Sequence, residues 1–170
     1  MADLYIRLDH ADGTLKETEA TDVSAGAANA GEVVALDSTG RIDPSMMPVG
    51  IGADTAQIVA SEALAAGDYV NVWNNAGAAN VRKADASTAG KEAHGFVLGA
   101  VASAATATVY FEGTNTQVTG QTAGRVFLST TPGLGTATPP SASGNVVQRV
   151  GVAIAATAAN FEAGQPVVLA

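Results

Sequence analysis

Asp68-Tyr69-Val70-Asn71-Val72-Trp73 is followed by Asn74-Asn75-Ala76-Gly77 and then by Ala79-Asn80-Val81-Arg82-Lys83-Ala84. The first segment alternates with period two. Successive side chains of a strand point to opposite faces, so Tyr69, Asn71 and Trp73 share one face and Val70 and Val72 the other. The Asn/Gly segment is a turn, and residues 79–84 are the return strand. This hairpin decides for β structure, and the chain around it keeps the same rhythm.

Downstream, residues 93–101 (AHGFVLGAV) and 106–112 (TATVYFE) read as strands, and Gln117-Val118-Thr119 as a shorter one. Arg125-Val126-Phe127-Leu128 ends at Thr131-Pro132-Gly133, residues 139–144 (PPSASG) are loop, and residues 146–154 form the longest β run. Pro166-Val167-Val168-Leu169 closes the chain. Upstream, residues 55–66 carry enough alanine for a helix, but Val and Ile with bounding glycines favour a strand and a turn at Ala66-Gly67. Short strands at intervals of about 8–12 residues predict an all-β domain over residues 51–170. The expected form is a compact antiparallel β-sandwich or barrel, jelly-roll-like.

Residues 1–50 read as an extended N-terminal arm. Leu4-Tyr5-Ile6-Arg7-Leu8 and Glu32-Val33-Val34-Ala35-Leu36 are expected as brief strands, with a small-residue linker over 21–31 and a turn at Asp37-Ser38-Thr39-Gly40. Pro44 and Pro48 bracket Met46 and Met47 and deny that stretch a long helix or a central strand. Leu4, Ile6, Val33, Val34, Leu36, Ile42, Met46, Met47 and Ile51 are the docking candidates of this arm. Flexible methionines adapt to irregular grooves. Two expectations stand for the Met46, Met47 and Ile51 cluster: it anchors on a partner subunit, or it tucks under the chain's own β domain.

Composition narrows the function. The 170 residues are 47% hydrophobic but only 5% aromatic, with 1 Trp, 3 Tyr and 4 Phe. Small side chains bury little area each, at roughly 25 cal/mol per Å². The core is thus expected to be thin, and oligomerisation is one remedy. Net charge is −8 and the sequence pI is near 4.5. An acidic chain lacks the basic face that displaces counterions from nucleic acid, and it does not suit an anionic membrane. No stretch of about 20 apolar residues is present to span a bilayer, and MADLYIRLDHADGTLK is not a signal peptide. These features predict a soluble protein made in a cytoplasm.

Residues that do chemistry are few. With 0 Cys, disulfides and thiolate chemistry are excluded. His94 has no Gly-x-Ser-x-Gly elbow to partner it and reads as a surface or interface histidine. Asp68, Asp85, Glu92, Glu112 and Glu162 stand singly beside turns, and sugar-binding aromatics are scarce. The acidic stretches 9–13 and 37–43 lack the full calcium-loop spacing, and Asp in a turn usually binds its own backbone. No phosphate loop is present. No catalytic residue, metal or cofactor is expected. Trp73 and Tyr110 are the candidate ligand-contact aromatics.

The run Gly31-Glu32-Val33-Val34-Ala35-Leu36-Asp37-Ser38-Thr39-Gly40-Arg41-Ile42-Asp43-Pro44-Ser45-Met46-Met47-Pro48 resembles a segment of tailed-bacteriophage virion proteins. That segment has the pattern G-x-[IV]-V-x-L-[DN]-x-x-G-[KR]-[IL]-D-x-[ST]-[LM]-[LM]-P. Residues 64–72, 81–86, 93–97, 107–113 and 146–153 are similar to the β domain that follows it in capsid decoration (cement) and head-fibre proteins. The resemblance covers residues 31–162. It implies a homotrimer on the capsid exterior, seated where capsomers meet and clamping neighbouring major capsid proteins. The module is shared by head and tail appendages, so a fibre binding host-surface glycans is the alternative. A glycan depolymerase using Asp68 or Glu112 is a further one.

Overall fold

The structure, a computed structural model, describes residues 4–38, 40–47 and 54–170. The chain divides into two compact units, Met1–Gly52 and Ala53–Ala170. The second is all-β.

In the first unit β1 (Leu4–Leu8) and β2 (Leu15–Glu19) form an antiparallel hairpin. Its turn closes where Asp9 N–H donates to the Thr14 carbonyl at 2.8 Å. A 3-10 turn follows at Gly26–Asn29 and another at Pro44–Met46. The strand expected at residues 32–36 is reduced to one parallel bridge, Thr21 with Val34. Among the described residues the Val33 carbonyl and the Ala35 N–H both pair with Thr21 and no longer ladder forms, so the extended segment is not a strand. The turn at 37–40 is present: Asp37 Oδ1 accepts the Arg41 N–H at 3.0 Å.

In the second unit β3 (Thr55–Ala60), β4 (Tyr69–Asn75), β5 (Ala78–Lys83), β6 (Gly95–Phe96) and β7 (Thr106–Tyr110) close a barrel in the order β3-β5-β4-β6-β7. Residues 55–60 are therefore strand and not helix. One barrel contact, β3 with β5, is parallel, because closure brings together two strands that run the same way. A second sheet has the order β10-β9-β12-β13-β8. Its members are β8 (Gly113–Asn115), β9 (Gly124–Leu128), β10 (Gly135–Thr136), β12 (Arg149–Ala155) and β13 (Ala158–Phe161). β11 (Val146–Val147) pairs with β14 (Val167–Val168).

Several strands differ from the sequence reading. Of residues 93–101 only Gly95 and Phe96 are strand, and Gln117-Val118-Thr119 is not one. The long run 146–154 breaks at Gln148, whose buried amide binds both the N–H and the carbonyl of Ala93, at 2.8 and 3.0 Å. There the backbone changes partner from β14 to β9, whose Leu128 N–H donates to the Gln148 carbonyl at 2.9 Å.

Two cores result. Val70, Val81, Val97, Ala107 and Val109 fill the barrel, while Tyr69, Phe96, Val126, Leu128, Val150 and Phe161 pack in a second cluster. The neighbours Tyr69 and Val70 thus enter different cores, as the alternation of β4 requires. Four of the scarce aromatics meet in the second cluster. Phe161 lies 6.0 Å from Tyr69 and 5.7 Å from Phe96, and Phe96 stacks on Tyr110 at 5.4 Å.

The loop bearing Gly133 is fitted against Asp68. Gly133 has φ +82°, and a Cβ there would fall 2.4 Å from Asp68 Oδ1. Its N–H donates to the Ala84 carbonyl and its carbonyl accepts from Tyr69 N–H, both at 2.8 Å. Gly133→Ala is expected to cost about 2–4 kcal/mol, from left-handed strain plus overpacking. Chemical denaturation should show a lowered midpoint at an unchanged slope.

Candidate functional site

The first unit has no buried residue among those described. Among the described residues, ten of the sixteen exposed large hydrophobic ones lie in it. Leu4, Ile6, Val33, Val34, Leu36, Ile42 and Met47 are all exposed, and Met46 is half-buried in its 3-10 turn. Ile51 lies outside the described residues.

The hairpin register sorts some of these side chains. Leu4 faces Glu19, Ile6 faces Glu17 and Leu8 faces Leu15 across the strands. Directly opposed residues share a face, so Leu4, Ile6, Leu8 and Leu15 form one apolar stripe beside two glutamates. Ile6 is 69% and Leu15 73% exposed. Leu8 and Leu15 were not among the sequence candidates. Leu15 sits in Leu-Lys-Glu-Thr-Glu, whose charges hide it, and only the hairpin turn places it opposite Leu8.

That turn is built by its acids. Asp9 Oδ1 accepts the Ala11 N–H at 2.8 Å, and Asp12 Oδ1 accepts from the Thr14 N–H and hydroxyl. Lys16 Nζ reaches both carboxylates, at 2.9 Å from Asp12. The Thr14 hydroxyl and then the Lys16 ammonium hold Asp12 down at about 2. These aspartates bind their own loop, as turn aspartates do.

The two candidate aromatics are placed apart in role. Tyr110 is half-buried on Phe96, at the edge of the second core. Trp73 lies near the tip of the β4–β5 hairpin, its Nε1 donating to Ser61 Oγ at 3.2 Å. The Arg82 guanidinium sits 4.6 Å from its ring centroid. Arg82 is itself fixed by Asn71 Oδ1 at 3.0 Å and the Gly90 carbonyl at 2.7 Å. A surface hollow of about 350 Å³ adjoins Trp73, Asn74 and Gly77.

Of the five isolated carboxylates, all but Glu112 have structural partners among the described residues. Asp68 accepts the Ala65 N–H at 2.8 Å and lies 3.6 Å from Lys83 Nζ. Asp85 accepts the Ser87 N–H, Glu92 the Gly90 N–H, and Glu162 meets Arg149 at 2.8 Å. His94 is exposed, and its Nδ1 accepts the Val72 N–H at 3.1 Å. Among the described residues no three metal-ligating side chains gather.

One feature has no counterpart in the sequence reading. A cavity of about 280 Å³ is walled by Tyr69, Asp68, Gln117, Gln121 and the Gly133–Gly135 loop. These residues are remote in the chain, so no spacing announces them. Tyr69 is 0% exposed, and among the described residues its hydroxyl meets no hydrogen-bond partner.

Comparison with protein-family models, with curated proteins and with solved structures finds no match to this chain.

Burial pushes the Tyr69 phenol from its ordinary value near 10 up to about 12. The folded protein keeps this proton where the unfolded chain has lost it. The contribution of Tyr69 is therefore complete below pH 10 and is lost as pH rises from 10 to 12. Over that window the wild type should lose stability relative to Tyr69→Phe, as followed by denaturant titration at each pH.

Proposed function

We propose that this protein is a non-catalytic structural component of a phage virion. In this reading it binds the capsid exterior as a homotrimer and stabilises contacts between major capsid proteins. The observation that carries the proposal is the first unit, which holds ten exposed large apolar side chains and no buried residue among those described. Exposed apolar surface of this kind marks interaction sites. Each such side chain contributes roughly 1.5–3 kcal/mol when a partner covers it.

The resemblance of residues 31–48 to virion proteins supplies the partner. The acidic surface agrees with it, since net charge −8 does not suit nucleic acid. A trimer would present three such units at once, and weak contacts held on one particle multiply through effective concentration. A second reading, a fibre module binding host glycans, is favoured by the hollow beside Trp73.

The test uses purified full-length protein and mature capsids that lack it. Saturable binding is expected. Ile6→Asp combined with Leu15→Asp should weaken it tenfold or more, each replacement removing roughly 1.5–3 kcal/mol of burial. The melting temperature of the second unit should not change. Light scattering should report three times the 16.8 kDa chain mass. A stable monomer at micromolar concentration, or attachment to host cells alone, would reject the capsid reading.

A further inference from the structure

We infer that the outward face of the β1–β2 hairpin docks a short protein segment that is apolar on one side and carries lysine or arginine along one flank. The inference rests on the docking role of the first unit, not on the capsid as its partner, and it names the chemistry that the partner must have.

The hairpin has two unlike faces. Directly opposed residues share a face, so Leu4, Ile6, Leu8, Leu15, Glu17 and Glu19 lie together on one side. Tyr5, Arg7, Lys16 and Thr18 lie on the other. All six residues of the first face are exposed, whereas Tyr5 and Thr18 are half-buried. Solvent therefore meets the face that carries the leucines. On it the apolar side chains run along β1 from Leu4 through Ile6 to Leu8 and turn onto Leu15 at the closed end. Glu17 and Glu19 fill the remaining corner, on β2.

Charge decides what can cover this face. The cations of the hairpin, Arg7 and Lys16, are on the opposite side, and Lys16 is engaged by Asp9 and Asp12. Neither Glu17 nor Glu19 enters an ion pair among the described residues. A neutral or acidic segment laid on the leucines would draw two unpaired carboxylates out of water, which is costly. A segment with cations on the β2 flank meets them instead. The net charge of −8 attracts such a segment from a distance as well.

Size sets the form of the partner. Each strand has 5 residues, which span about 17 Å, and two strands about 5 Å apart make a narrow platform. That platform matches one extended segment or about three turns of helix, and not the side of a domain. Glu17 and Glu19 are separated by about 7 Å along β2. Two cations at i and i+4 of a helix have nearly this spacing.

The experiment is a fluorescence-anisotropy titration of the full chain against a labelled amphipathic peptide of leucine and lysine, about three helical turns long. Leucine–glutamate and serine–lysine peptides of the same length are the controls. Saturable binding of the leucine–lysine peptide alone is expected. Ile6→Asp with Leu15→Asp should weaken it tenfold or more. Glu17→Gln with Glu19→Gln should weaken it about fivefold at low salt and less than twofold at high salt, where exposed pairs are screened. Asp54→Asn with Glu112→Gln removes the same charge elsewhere and should leave it unchanged. Equal binding of the leucine–glutamate peptide, or an equal loss in Asp54→Asn with Glu112→Gln, overturns the inference. So does binding that ignores Glu17 and Glu19. Light scattering should give both hairpin variants the mass of the wild type; a fall to a smaller species makes the face an interface between copies and equally overturns it. Peptide binding of the expected pattern, with none to capsids, supports the inference and rejects only the capsid.

Discussion

The second unit depends on one constraint: the first half of strand β4, Tyr69 to Asn71, must bury both of its faces. Val70 fills the barrel, and its neighbour Tyr69 packs in the second cluster against Phe161. A half-exposed strand would need only one core. This one sits between two, so the second sheet is not an optional addition to the barrel. Phe161, at the end of β13, meets both Tyr69 and Phe96 from the barrel. Large rings bury about 150–250 Å² each, which offsets the poor yield of the alanines around them. Four of the eight aromatics are gathered at this one place.

The same crowding explains the glycines of the Gly133–Gly135 loop and the orphan phenol. Tyr69 must be large to reach Phe161, and its polar tip is then carried into a region that the chain does not satisfy by itself. An empty apolar ring would serve packing equally well. A tyrosine here adds a hydroxyl that burial penalises.

The first unit follows the opposite logic. Its hairpin is secured by backbone ladders and a turn of aspartates around Lys16, and its apolar side chains remain on the surface. Local hydrogen bonds hold its shape, and ten of its described large apolar side chains are exposed. The two units therefore divide the physical work. One has concentrated its apolar residues inward, and the other presents them outward.

The β character of residues 54–170 was legible from the alternation at 69–73, from the Asn/Gly turn and from the even spacing of short apolar runs. So was the scarcity of residues suited to chemistry, since composition needs no coordinates. The docking candidates of the first unit were legible as types, while their shared face was not: Leu15 joins Leu8 only through the hairpin register. Tertiary structure alone decided that Tyr69 and Val70 serve separate cores, that residues 146–154 break at Gln148, and that β3 and β5 close a barrel in parallel. It also decided the cavity, whose walls come from residues 65–69, 117–121 and 133–135. The reason is physical. Periodicity is written by a residue and its near neighbours, whereas barrel closure, partner exchange and a cavity wall depend on which distant segments meet.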